Sequence, residues 1–257
     1  MTIDRRRARE AFAGYAARYN AADPKVKLKI DHTYRVAALC DRIAASLGLP
    51  PEERDLAWLC GLLHDVGRFE QLRRYGTFND AESIDHAAMS ARVLFAEGRV
   101  RDYLDDPSRD ELLRTAVVWH SAYRLPAELD SRTRMFCQIL RDADKVDILR
   151  VNVEVPMEEI YNVSTEALRQ SPVTPEVLQA FYGHHCVLRS LKRFPADNAV
   201  GHASLVFELC YPESLRAVSE QGWLWKLLDF PTANPATAEA FAAMRAEMHR
   251  WLAEKLP

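Results

Sequence analysis

Apolar residues recur along most of this chain at intervals of three and four, which predicts helices that each bury one face. The pattern is strongest in Leu59-Cys60-Gly61-Leu62-Leu63-His64-Asp65-Val66-Gly67-Arg68. Leu56, Leu59, Cys60, Leu63 and Val66 share a face there. His64 and Asp65 come at the end of the run, and Gly67 is expected to end the helix as its C-cap.

Similar faces occur on either side. A helix over 4–20 would bury Phe12, Tyr15, Ala16 and Tyr19, and the stretch from Asn20 to Pro24 would close it. A second helix is expected from Asp31, its side chain as cap and His32 in the first turn, with Val36, Leu39, Cys40, Ile43 and Leu47 inward. Gly48 to Pro51 would end it, and Glu52-Glu53 would open the helix that carries His64-Asp65. The segment from Arg68 to Ile84, with Gln71, Asp80 and Ser83, is too irregular for a helix throughout. Asp85 then caps a helix with His86 in its first turn. A helix over 110–121 aligns Leu113, Ala116, Val117 and His120, and one over 131–149 sets Asp144 on or beside its buried face. Beyond Pro156, Pro172, Pro175, Pro195, Pro212 and Pro235 divide the chain into short helices. The expected fold is an all-α bundle: a core over 1–155 and a helical extension over 156–257, packed as part of the same domain.

Composition narrows the function. Only 9 glycines in 257 residues fit an all-α chain, and 48% hydrophobic with 28% charged residues is an ordinary globular mixture. A net charge of −3 gives no reason to expect a nucleic-acid polymer or a membrane as partner, and Arg5-Arg6-Arg7 suits the solvated face of a first helix. No stretch resembles a signal peptide or is long enough to span a bilayer, so a cytoplasmic location is expected. Five scattered cysteines with no Cys-x-x-Cys exclude a zinc ribbon and a disulfide scaffold. There is no Gly-rich phosphate loop and no Gly-x-Ser-x-Gly. His184-His185 lacks acids at ligand spacing, His202 and His249 read as incidental, and Trp223, Trp225 and Trp251 suit packing.

The remaining chemistry lies at the helix ends. A His-Asp pair in an apolar face is costly to bury unless it is hydrogen-bonded or holds a metal. Taken alone, it would suit a buried hydrogen-bonded pair. Five segments, however, bring ligand-type residues to the ends of buried faces: His32, His64-Asp65, His86, His120 and Asp144. His32, His64, Asp65 and Asp144 suit one divalent ion. His86 and His120 suit a second if Asp65 bridges the two, since a carboxylate offers one oxygen to each.

The order His … His-Asp … Asp, with His-Asp-Val-Gly-Arg at 64–68 and Asp-Ala-Asp-Lys at 142–145, resembles the HD superfamily of metal-dependent phosphohydrolases over about residues 28–150. The two additional histidines resemble its dinuclear branch. The resemblance implies hydrolysis of a small phosphorylated substrate or nucleotide, with a bridging hydroxide as nucleophile and Asp65 central to catalysis. Imidazole and carboxylate suit Fe, Mn, Zn and Ni alike, so the identity of the two divalent metal ions stays open. Arg68 could clamp a phosphate and Lys145 could act as a point charge beside it. Many relatives carry Lys where this chain has Arg68. The Gly-Tyr-Pro signature of the cyclic-di-GMP branch is replaced by Tyr123-Arg124-Leu125-Pro126, which disfavours that substrate. The same ligand set also resembles the di-iron oxygenases of the superfamily, and a non-catalytic metal- or nucleotide-binding module is a third reading.

Overall fold

The computed structural model describes residues 3–256, and among them the chain is helical, with no strand. It divides into two compact units, one ending at Asp144 and the other beginning at Lys145.

In the first unit, α1 (Arg5–Ala16) is capped by Asp4 and buries Phe12, Tyr15 and Ala16. It stops short of residue 20. Arg5 pairs with Asp41 and Asp55, and Arg7 with Asp105, so the basic run ties α1 down instead of only meeting solvent. The second helix, α2 (Pro24–Ser46), begins well before Asp31. Asp23 caps it, accepting from the Lys25 N–H at 2.8 Å, and Pro24 fills the first helical position, where no N–H needs a partner. Asp31 pairs with Lys27 on the helix surface, and His32 therefore lies in mid-helix.

Helix α3 (Pro51–Leu63) crosses α2 at Gly61, where a Cβ would stand 2.6 Å from the Ala37 Cα. Only a residue without a side chain permits this approach, which brings the end of α3 level with His32. The chain breaks at His64-Asp65 and continues at once as α4 (Val66–Tyr75). Gly67 is thus inside α4, and the expected C-cap role falls instead to Gly76, at φ 70°. What Gly67 provides is a second close crossing. A Cβ there would stand 2.4 Å from the Ser90 N of α5 (His86–Ala91), and the Gly67 N–H donates to the Ser90 Oγ at 2.9 Å. An edge-on aromatic cluster of Phe12, Tyr15, Tyr34 and Phe69 fills the space between α1, α2 and α4. Asp85 caps α5 as expected, and a π-helical turn, Arg92–Ala96, carries the chain on from it. Helix α6 (Asp110–Trp119) ends at His120, and α7 (Ser131–Glu154) runs through Asp144.

The second unit contains short helices, as the prolines suggested: α8 (Met157–Tyr161), α9 (Thr165–Arg169), α10 (Pro175–Tyr182), α11 (Pro195–Ala203), α12 (Pro212–Gln221) and α13 (Trp223–Leu228). A longer α14 (Pro235–Lys255) follows. Proline occupies the first helical position of α10, α11, α12 and α14. Asp197 organises this unit's loops, accepting from the N–H groups of Thr174, Arg193 and Phe194 and from the Thr174 hydroxyl. His184 bonds Glu247 at 2.7 Å and His249 stacks on Trp225 at 3.8 Å, both within this unit. Cys40, Cys60 and Cys137 are free and buried in the first unit, while Cys186 is half-buried and Cys210 exposed.

Candidate metal centre

His32 projects from the middle of α2, His64 and Asp65 from the α3–α4 break, His86 from the first turn of α5, His120 from the end of α6 and Asp144 from α7. All six are buried. The structure brings them to one place.

Their hydrogen bonds fix which ring atoms face inward. His64 Nδ1 lies 2.8 Å from the Gly61 carbonyl and His120 Nδ1 2.7 Å from that of Val117. A carbonyl only accepts, so in each ring the proton sits on Nδ1 and Nε2 keeps its lone pair. His86 Nδ1 is likewise 2.5 Å from the Asp80 carboxylate. Burial lowers the pKa of His64 and His86 and takes that of His120 down to about 4, so these rings are neutral donors at pH 7.

The Nε2 atoms then face one another. His86 Nε2 and His120 Nε2 are 3.0 Å apart, and His64 Nε2 and His32 Nε2 are 3.3 Å apart. Asp65 faces both pairs. Its Oδ2 lies 3.6 Å from His32 Nε2 and from His64 Nε2, while its Oδ1 lies 3.7 Å from His86 Nε2 and 3.8 Å from His120 Nε2. Asp144 Oδ1 joins the first pair, 3.2 Å from His32 Nε2 and 3.7 Å from His64 Nε2. Donors bound about 2.1 Å from one first-row cation stand roughly 3.0–3.4 Å apart. The observed spacings are close to that. The sets His32–His64–Asp144 and His64–Asp65–His120 each place donor atoms within 4.8 Å of one another.

One atom tests the fit. Asp65 Oδ1 is buried and, among the described residues, has no hydrogen-bond partner. A buried carboxylate oxygen without a partner is costly, and a cation shared with His86 and His120 would satisfy it. The donor set thus suits divalent metal. Burial opposes ionisation of Asp65, but Lys29, His64 and Arg68 together hold its carboxyl well below the usual carboxylate range. Asp144 is also held low, against burial, by His32 and His64.

Residues 30–149, which span all six side chains, match the family model for the HD domain. Over these residues the chain is thus similar to an HD domain. Among curated proteins it is similar to the 3'3'-cGAMP-specific phosphodiesterase 1 of Vibrio cholerae serotype O1 (strain ATCC 39315 / El Tor Inaba N16961), 36% identical over 67 residues. That match covers 24% of this chain and only 16% of the relative's length. No solved structure matches the chain.

Around these six side chains lie residues that sequence reasoning left unassigned. Lys29, one turn before His32 on α2, bonds Asp65 Oδ2 at 2.7 Å and lies over the Phe78 ring. Arg141 on α7 donates to the Trp119, His120, Ala122 and Tyr123 carbonyls, closing the end of α6 and fixing the turn that carries His120. Asp80 braces His86 through Oδ2, while its Oδ1 accepts from Arg68 Nη1 at 2.8 Å and from Gln71 Nε2 at 2.9 Å. Gln71 also donates to the Ser83 hydroxyl and the Ile84 carbonyl. Asp80, Asp85 and His86 also cluster, but Asp85 spends an oxygen capping α5.

Arg68 Nη1 is therefore committed to Gln71, Asp80 and the Phe78 carbonyl, and its Nε faces Asp65 Oδ1 at 3.6 Å. Lys145 follows Asp144 along α7 and opens the second unit. Because a carboxylate behind a ligand histidine fixes its tautomer and raises its basicity, Asp80→Asn is expected to weaken metal binding about 10–100-fold. Titration of chelator-treated protein with Mn or Zn checks this, and unchanged affinity would show that Asp80 only ties down the loop.

Proposed function

We propose that this chain hydrolyses a phosphoester of a small phosphorylated molecule or nucleotide at a dinuclear centre held by His32, His64, Asp65, His86, His120 and Asp144. The observation that carries the reading is the division of Asp65: one oxygen faces His32 and His64, the other, without a hydrogen-bond partner, faces His86 and His120. Two divalent ions bound there would supply a hydroxide near neutral pH and neutralise charge on the phosphate oxygens.

The chain's own groups prepare the site. Lys29 and Arg68 keep Asp65 ionised, which preserves both of its oxygens as donors. The Gly61 and Val117 carbonyls and the Asp80 carboxylate aim His64, His120 and His86 by holding their Nδ1 protons. Burial keeps the His64, His86 and His120 rings neutral. Arg68 retains Nη2 for a phosphate oxygen while Nη1 braces the loop. Lys145 is the second candidate cation for the substrate.

The relative's name assigns it a cyclic dinucleotide, so a 3',3'-linked diester belongs in the substrate panel beside phosphomonoesters and nucleotides. The deciding experiment combines elemental analysis of purified protein with that panel, run in air and under argon. The expected result is about two equivalents of Fe, Mn, Zn or Ni per chain and equal turnover in both atmospheres. Turnover that requires dioxygen would replace this reading with a di-iron oxygenase. Ligand-dependent stabilisation without turnover would leave a binding module.

A further inference from the structure

Lys29 lies one turn before His32 on α2, on the same side of the helix. A lysine there is largely removed from water: its side chain is 15% exposed and that of Asp65 3%. The ammonium donates to Asp65 Oδ2 at 2.7 Å and lies 5.3 Å from the centre of the half-buried Phe78 ring. An ammonium has three N–H groups. Among the described residues the bond to Asp65 is the only one this ammonium makes, so two N–H groups are unspent.

Arg68 stands beside the other oxygen of the same carboxylate. Its Nε lies 3.6 Å from Asp65 Oδ1, too far for a hydrogen bond, and is buried with no partner among the described residues. Its Cζ lies 5.8 Å from the centre of the same Phe78 ring. Two cations thus flank one carboxylate, and both keep donors that no group of the chain accepts. Buried donors left unmet are costly. Charged donors that converge where the chain supplies no acceptor suit an oxyanion.

We propose that Lys29 contacts the phosphate group of the substrate, and that this group is a terminal phosphate, the dianion of a phosphomonoester. The inference rests on the hydrolase reading above and narrows its substrate. Lys29 keeps its bond to Asp65 Oδ2 and offers its two remaining N–H groups to the phosphate. A terminal phosphate carries about two negative charges near neutral pH and an oxygen more than a diester has free. Arg68 by itself offers a fork to a monoanion. The extra charge and the extra oxygen are what a second cation beside Asp65 can bind.

The test compares wild type with Lys29→Met and Lys29→Arg, each loaded with Mn and checked for bound metal and native circular dichroism. Orthophosphate binding is measured by calorimetry, and turnover with p-nitrophenyl phosphate and with bis(p-nitrophenyl) phosphate. Lys29→Met is expected to keep its metal, because His64, Arg68 and His86 still act on Asp65. It is expected to bind orthophosphate at least about tenfold more weakly, as loss of a charge-assisted donor does, and to raise KM for the monoester by a similar factor. Hydrolysis of the diester should be much less affected, and Lys29→Arg should recover most of the orthophosphate binding. Orthophosphate binding in Lys29→Met equal to that of wild type, or an equal loss on monoester and diester, would overturn the proposal. So would a loss of metal that accounts for the weakened binding, which would leave Lys29 as a support for Asp65 only. Failure of the hydrolase reading would show differently, as wild-type protein that turns over neither ester, and the orthophosphate titration would then still decide on Lys29.

Discussion

Asp65→Ala is expected to strip the centre of metal and abolish turnover together. This carboxylate faces both histidine pairs, so its loss leaves His86 and His120 as a bare two-imidazole set and removes an anion from the His32–His64–Asp144 set. Metal ions contribute several kcal/mol to charge stabilisation in phosphoryl transfer, and each ~1.4 kcal/mol is tenfold in rate. A fall in kcat of about a thousandfold or more follows, with both equivalents of metal lost on elemental analysis. The fold should survive. Lys29 loses its partner, but its side chain is 15% exposed and its flexible stem can carry the charge to water. Metal content equal to wild type in this variant would defeat the two-ion reading.

Gly67→Ala is expected to be the most disruptive single methyl group in the first unit. The added Cβ would meet the Ser90 N at 2.4 Å, the His86 carbonyl oxygen at 2.6 Å and the Met89 carbonyl carbon at 2.8 Å. All three are backbone atoms of α5 or its first turn, so no side-chain rotation relieves the clash and α4 must separate from α5. Overpacking of this kind costs about 1–3 kcal/mol, and the rigid neighbours here put the expected loss at the upper end. The same shift would stretch the Gly67–Ser90 hydrogen bond and carry His86 away from Asp65. Chemical denaturation should therefore show a lowered midpoint, and metal titration a weakened second equivalent. Gly14→Ala, where a Cβ meets nothing within 4 Å, is the matched control and should be neutral or slightly stabilising. Equal stability of Gly67→Ala and wild type would mean that the crossing is looser than the structure shows.

Much of the candidate centre was legible because His64 and His120 close apolar helical runs and His32, His86 and Asp144 lie on the buried faces of their helices. The burial of His64, His86 and His120 follows from Leu63, Met89 and Val117 beside them, and none of it needs tertiary information. What escaped notice has particular physical causes. Placing the start of α2 at Asp31 hid Lys29, which shares a face with His32 only once Asp23 and Pro24 are recognised as cap and first turn. Asp80 sits in an irregular segment, where spacing says nothing about direction. Arg141 acts on backbone carbonyls, and a sequence does not show where carbonyls point. Gly67 was read as a helix stop because glycine more often serves there, whereas here its value is the absence of a Cβ at a crossing. The boundary between the two units, inside α7 at Asp144–Lys145, is unmarked by any proline or glycine.

The six inward-facing side chains come from α2, the α3–α4 break, α5, the end of α6 and α7, spread over more than a hundred positions of the chain. No short peptide cut from this protein could reproduce the set. A cation held by all of them would be released slowly, because side chains from several helices must let go together, which ties its escape rate to local opening of those helices. Residence times measured with a competing chelator should then follow the same temperature and denaturant dependence as amide hydrogen exchange in α2 and α5.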